Sequence, residues 1–214
     1  MKHTSLATIT IGLCLNLASG AHAQSTVTWG VSAGMNKYTE ANMKLVGPEI
    51  GLHARAVNVF PNTNWELEGD VLLGRQNYTS TSTGNMRNVG NVETRWRVMG
   101  EISPDTGWRT GLAVHTLWND LQGIATDSNG QTFSGYQRTA RQVWWPVRWT
   151  PGGASTFEVG TLITGKHTSA LSQADPAAYT DITNKQKRGT YLQASVALGL
   201  PNGDRLSPFV RLTH

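Results

Sequence analysis

The residues with the most chemical potential in this chain are charged, and they recur at every second position. Glu66, Glu68 and Asp70 are spaced by two, and so are Glu93, Arg95 and Arg97, with Glu101 on the same parity. Arg55, Arg109, Glu158 and Lys166 take comparable places in other segments, and His53 and His115 share the parity of their charged neighbours. A period of two places side chains on one face of a strand. Carboxylates and bases gathered on such a face can exchange protons, bind ions or pair with one another. The near balance of signs favours pairing, since a buried charge persists when it has a partner. His53, His115 and His167 fit hydrogen bonding better than general base chemistry. No His-Glu-x-x-His, Gly-x-Ser-x-Gly or comparable signature occurs. No catalytic residue, metal site or cofactor is therefore expected, and the chain does not read as an enzyme.

The elements that would position these groups are strands. Nine are predicted, over 26–37, 45–60, 63–79, 89–103, 107–119, 135–150, 156–167, 187–200 and 205–214. Short turns rich in Pro, Gly, Asn and Asp, such as Pro61-Asn62 and Pro201-Asn202-Gly203-Asp204, alternate with longer polar loops at 38–44, 80–88, 120–134 and 168–186. Opposite the charged face, Leu67, Val71, Trp96, Val98, Leu112, Val114, Val159, Ile163, Val196 and Leu198 form an apolar one.

Aromatic residues cluster at the strand ends. Trp29, Phe60, Trp65, Trp108, Trp149, Phe157 and Phe209 lie next to the short turns or the start of the strand region. Tyr38, Tyr78, Trp118, Tyr136 and Tyr191 lie next to the long loops. Two aromatic rings on either side of an apolar band are the girdles of a transmembrane β-barrel. The expected fold is all-β, an antiparallel up-and-down transmembrane β-barrel of 8–10 strands.

The direction of the faces follows from magnitude. An Arg or Lys facing lipid at mid-membrane costs ~2–4 kcal/mol. Three strands so arranged would exceed the ~5–15 kcal/mol net stability of a domain. The charged face must then be the lumen. A soluble barrel would be inverted.

The chain ends and composition bound the rest. Residues 1–23 read as a secretory leader: Lys2 and His3, an apolar run from Ala7 to Ala18, and Ala21-His22-Ala23 before Gln24. That run is shorter than the ~20 residues of a spanning helix. Cys14, the one cysteine, lies inside it, so residues 24–214, the expected barrel domain, hold no thiol. A net charge of +4 with dispersed bases does not point to nucleic acid. A mean hydropathy of -0.32 is compatible with a barrel, which shows lipid only every second residue. Nine strands starting on the inner side would end on the outer side. Bacterial barrels have an even number, so a tenth strand is expected beyond His214, or else one of the nine is not a strand.

Two stretches stand apart. Tyr136 to Pro146 contains Arg138, Arg141 and the pair Trp144-Trp145, of which one is expected to face lipid and the other the lumen, with Pro146 marking a bulge or strand end. Lys185, Lys187 and Arg188 form a basic cluster that suits lipopolysaccharide phosphates and equally a solvated loop end.

Gly135-Tyr136-Gln137-Arg138, Trp145-Pro146, Gly165-Lys166, Asp175-Pro176, Asn184 to Gly189 and Pro208-Phe209-Val210-Arg211 carry a resemblance over the C-terminal half. The chain resembles the Gram-negative outer-membrane β-barrel superfamily, in particular uncharacterised proteobacterial barrels of about ten strands. The resemblance implies an outer-membrane location, with lipid, lipopolysaccharide and the barrel-assembly machinery as partners. The expected role is porin-like or structural and adhesive, with a largely plugged charged lumen and external loops that bind. The alternatives are an outer-membrane enzyme on a small barrel (lipid A-modifying or omptin-like) and a soluble exported ligand-binding barrel with its apolar face inside.

Overall fold

The computed structural model describes residues 7–22, 25–40, 42–59, 64–81, 84–103, 105–122, 125–126 and 129–214, with side chains from Thr26 onward. In chain order the strands are β1 (Ala7–His22), β2 (Ser25–Glu40), β3 (Met43–Val57), β4 (Glu66–Ser80), β5 (Gly84–Glu101), β6 (Trp108–Leu121), β7 (Ala125–Thr126), β8 (Thr132–Phe133), β9 (Tyr136–Trp149), β10 (Ser155–Ala170), β11 (Ile182–Gln186), β12 (Thr190–Val196), β13 (Leu198–Gly199) and β14 (Arg205–Thr213). Ten of them make the wall, in the order β1-β2-β3-β4-β5-β6-β9-β10-β12-β14, every pair antiparallel. β14 returns to β1, so the sheet closes on itself. β7 and β8 form a small hairpin above β5, and β11 extends the wall beside β10.

All nine expected strands are present, most of them longer than expected at the loop end. The tenth lies elsewhere than expected: Ala7–His22, the segment read as a leader, is the strand between β14 and β2.

The loops differ from expectation. Strand extension shrinks the 38–44 connection to residues 41–42, and the 80–88 connection to 81–83. Only 122–135 and 171–189 remain long, so the strict alternation of short and long connections does not hold. The two ends are called here the loop end, which carries those segments, and the turn end.

The faces follow the period of two. Ile50, Leu52, Trp96, Leu112, Ile163 and Leu192 are more than half exposed on the outside. The whole expected apolar set is exposed there except Val71, which is half-buried. Buried on the inside are Glu66, Glu68, Asp70, Arg95, Arg97, His115, Arg148, Glu158 and Arg211. The soluble alternative needed the reverse arrangement.

One irregularity redirects side chains. Pro146 has no N–H to give the ladder, and β9 runs straight through it while the pairing with β6 lapses opposite Gly111 and Leu112. The bulge expected at Pro146 sits on the partner strand, between Leu162 and Thr164 of β10. One extra residue there reverses the parity of everything after it.

Candidate functional site: a charged lumen beneath an arginine-lined cup

Toward the turn end, four guanidinium groups and four carboxylates meet across the lumen. Arg148 on β9 reaches Glu66 at 2.5 Å, Glu68 at 2.7 Å and Glu158 at 2.7 Å. Arg97 on β5 reaches Glu68 at 2.8 Å, Asp70 at 3.0 Å and Glu158 at 3.3 Å. Arg55 and Arg109 complete the set on Glu66, at 2.5 and 3.2 Å. β4 and β9 are separated in the wall by β5 and β6, so the Arg148–Glu66 and Arg148–Glu68 pairs cross the interior rather than run along the wall. With equal numbers of each sign the cluster is self-neutralising, the condition under which charges tolerate burial. Tyr191 donates its hydroxyl hydrogen bond to Glu158 at 2.7 Å. Its ring lies over Gly160, directly opposite on β10, where a Cβ would collide with it.

Beside this cluster His53 bridges Asp70 through Nδ1 at 2.8 Å and Ser32 through Nε2 at 2.6 Å. The order Ser–His–Asp is that of a hydrolytic relay. Here it lies flat on three neighbouring strands whose amides are engaged in the ladders, and Asp70 is shared with Arg97. Such a relay also needs free N–H donors for an oxyanion, and the surrounding strand backbone offers none among the described residues.

Toward the loop end the lumen opens into a cavity of about 530 Å³. Arg95, Arg138, Arg188 and Arg211 line it, with Glu93 the one acidic side chain among its described lining residues. Glu93 is taken by Arg95 at 2.6 Å. Trp144 and His115 line its floor and pack against Tyr191, with Trp144 and Tyr191 edge to face at 5.2 Å.

Most of the expected lumen residues are where the spacing put them. Arg55, Glu66, Glu68, Asp70, Arg97, Arg109 and Glu158 share the cluster, Glu93 and Arg95 pair above it, and the half-buried Glu101 accepts a hydrogen bond from Asn64 at the turn end. Lys166 does not belong: the β10 bulge turns it to the outer wall and brings half-buried His167 to the cavity instead.

The girdle needs a larger correction. Trp29, Trp65, Trp108, Trp149 and Phe157 are exposed on the outer face at the turn end, with Trp149 stacked on Trp108 and Phe157. Phe60 lies outside the described residues. Phe209 is half-buried and shares the parity of inward Arg211. At the loop end Trp118 keeps the outward parity, whereas Tyr38 and Tyr191 are buried inside and Tyr78 and Tyr136 pack against the Tyr38 cluster. That ring is chiefly a lumenal layer, because these tyrosines fall in step with the polar inward positions. The tandem tryptophans divide as expected, Trp144 inward and Trp145 56% exposed.

The basic trio also divides. All three are exposed, and Arg188 also lines the rim of the cavity. Arg148, Arg138 and Arg211 were not among the expected lumen residues, yet all three are buried inside. Arg148 had a signal, the parity of Trp144, but the Trp pair and Pro146 obscured it.

No family model matches the chain, and no curated protein matches it by sequence. Among solved structures it is similar to the translocator domain of the autotransporter NalP from Neisseria meningitidis, at 9% identity and a TM-score of 0.47, covering 98% of this chain and 88% of that one. It is similar as well to the β domain of the Bordetella autotransporter BrkA, at 10% identity and a TM-score of 0.46 over 97% and 98% of the two chains. A third is the COG4313 outer membrane channel from Pseudomonas putida F1, at 10% identity and a TM-score of 0.31 over 97% and 94%. These are Gram-negative outer-membrane barrels. Translocation and conduction are properties of those proteins.

Proposed function

We propose that this chain is an integral outer-membrane barrel whose lumen is closed to free diffusion at the turn end and open as a cup at the loop end. The observation that carries the membrane reading is the inversion of faces, with Ile50, Leu52, Trp96, Leu112 and Ile163 outside and the arginines and carboxylates inside. In water such an exterior would be an aggregation surface; in lipid it is the required one. The closure reading rests on the Arg148 and Arg97 pairs that cross the lumen. Opening it requires several buried ion pairs to part together, at about 3–5 kcal/mol for a single broken pair.

The outer wall adds a contact for anionic lipid. Arg141, Lys166 and Lys185 stand side by side on β9, β10 and β11, all exposed. Like charges placed directly opposite one another repel, and lipopolysaccharide phosphates at the loop end would relieve the repulsion. Export through a leader ending at Ala23 and insertion by the barrel-assembly machinery complete the reading. The Ser32–His53–Asp70 chain serves as wall hydrogen bonding, not hydrolysis; covalent labelling of Ser32 by a fluorophosphonate would overturn that.

Planar-bilayer recording tests the closure. The wild-type protein is expected to show no steady open level, and a double Arg97→Gln, Arg148→Gln variant to conduct. A stable wild-type channel would sink the closed-lumen reading.

A further inference from the structure

We propose that the loop-end cup is a binding site for a small organic anion, a carboxylate on an apolar body. Arg211 is 3% exposed and lines the cavity, and it makes no ion pair with any carboxylate among the described residues. None of its partners carries a negative charge: Gln193 accepts from Nη1 at 3.3 Å, His115 lies 3.2 Å from Nη2, and the Tyr191 ring sits 3.9 Å beneath the guanidinium carbon. Arg138, 2% exposed, has only one long ion pair, with Glu40. Its Nε donates to Asn119 and its plane covers Tyr38, but Nη1 has no hydrogen-bond partner, and Glu40 is 3.7 Å away.

The contrast with the cluster below is the core of the argument. There each guanidinium meets a carboxylate closely; of those lining the cavity, Arg95 has Glu93, Arg138 has only the long contact with Glu40, Arg188 is exposed, and buried Arg211 has none among the described residues. A buried cation without a counter-charge is costly, and a bound anion supplies the charge. The guanidinium fork matches a carboxylate through two parallel N–H···O bonds. The cavity, about 530 Å³, lies in the range of ~300–1,000 Å³ typical of small-molecule sites. Trp144 and Leu162, packed against Tyr191, provide an apolar floor for the rest of the ligand. The inference does not depend on the closed lumen: conductance tests one and equilibrium binding tests the other.

Benzoate is the probe, titrated calorimetrically into the folded protein in detergent, with benzamide as its uncharged analogue. Benzoate is expected to bind about tenfold or more tightly than benzamide. Arg211→Gln should remove that preference, and Lys187→Gln should keep it. Because Arg211→Gln can also perturb folding, Arg138→Gln is measured in parallel, each variant being checked for a heat-modifiable band. Equal affinity for the two probes, no benzoate binding by wild type, or full preference in both folded arginine variants would each overturn the proposal.

Discussion

Arg148, like Arg97, meets three carboxylates, drawn from β4 and β10 on both sides of its fork. Replacing it by Ala leaves Glu66, Glu68 and Glu158 one positive charge short in a buried place. We expect Arg148→Ala to cost about 3–5 kcal/mol, measured as a lowered midpoint of urea unfolding in lipid vesicles. Lys166→Ala, on the exposed outer wall, should stay within about 0.5 kcal/mol. Comparable losses for the two would contradict the placement of Arg148 at the centre. The carboxylate side of this cluster was legible from residues alone, because Glu66, Glu68 and Asp70 alternate with Leu67 and Gly69. Its partners across the lumen were not, since Arg148 and Glu66 are 82 residues apart and no local pattern links them. The tyrosines were misplaced for a different reason. Nearness to a loop was taken as membrane depth, while parity, which puts Tyr38 in step with Ser32 and Asn36, decides the face.

Strand β1 satisfies two physical requirements at once. Ile9, Ile11, Leu13, Leu15 and Leu17 alternate with Thr8, Thr10, Gly12, Cys14 and Asn16. A leader needs the apolar content of this stretch, and a barrel wall needs its period of two. The composition and the Ala21-His22-Ala23 site drew the leader reading, which hid the alternation. We expect intact-mass analysis of the membrane form to show a chain beginning at Gln24. In that form β2 and β14 would each lose the ladder partner that β1 gives them, at several kcal/mol per group in hydrocarbon. A mass that includes residues 1–23 would instead make Ala7–His22 a permanent part of the wall. The bulge in β10 is the second feature the sequence concealed. It lies opposite Trp144 and Val143 of β9, and it alone moves Lys166 out and His167 in.

At the scale of the whole molecule the account stands on one assignment, that the apolar face meets lipid and the charged face meets its own kind. This was legible because each face is uniform in character over four or five successive strands, and because the cost of the opposite arrangement is large. The apportioning of the lumen into a neutral cluster and a cationic cup was not, since it depends on which strands face each other across the barrel. Neighbouring positions on β5 test the assignment most directly: Val98 is 41% exposed outside, and Arg97 is buried in the cluster. Assembly into outer membrane, read as the heat-modifiable folded band, is the measurement. The account predicts that Val98→Arg fails to assemble, because a charge then sits in hydrocarbon at ~2–4 kcal/mol, while Arg97→Gln assembles with reduced stability. Equal assembly of the two, or loss with Arg97→Gln alone, would contradict it.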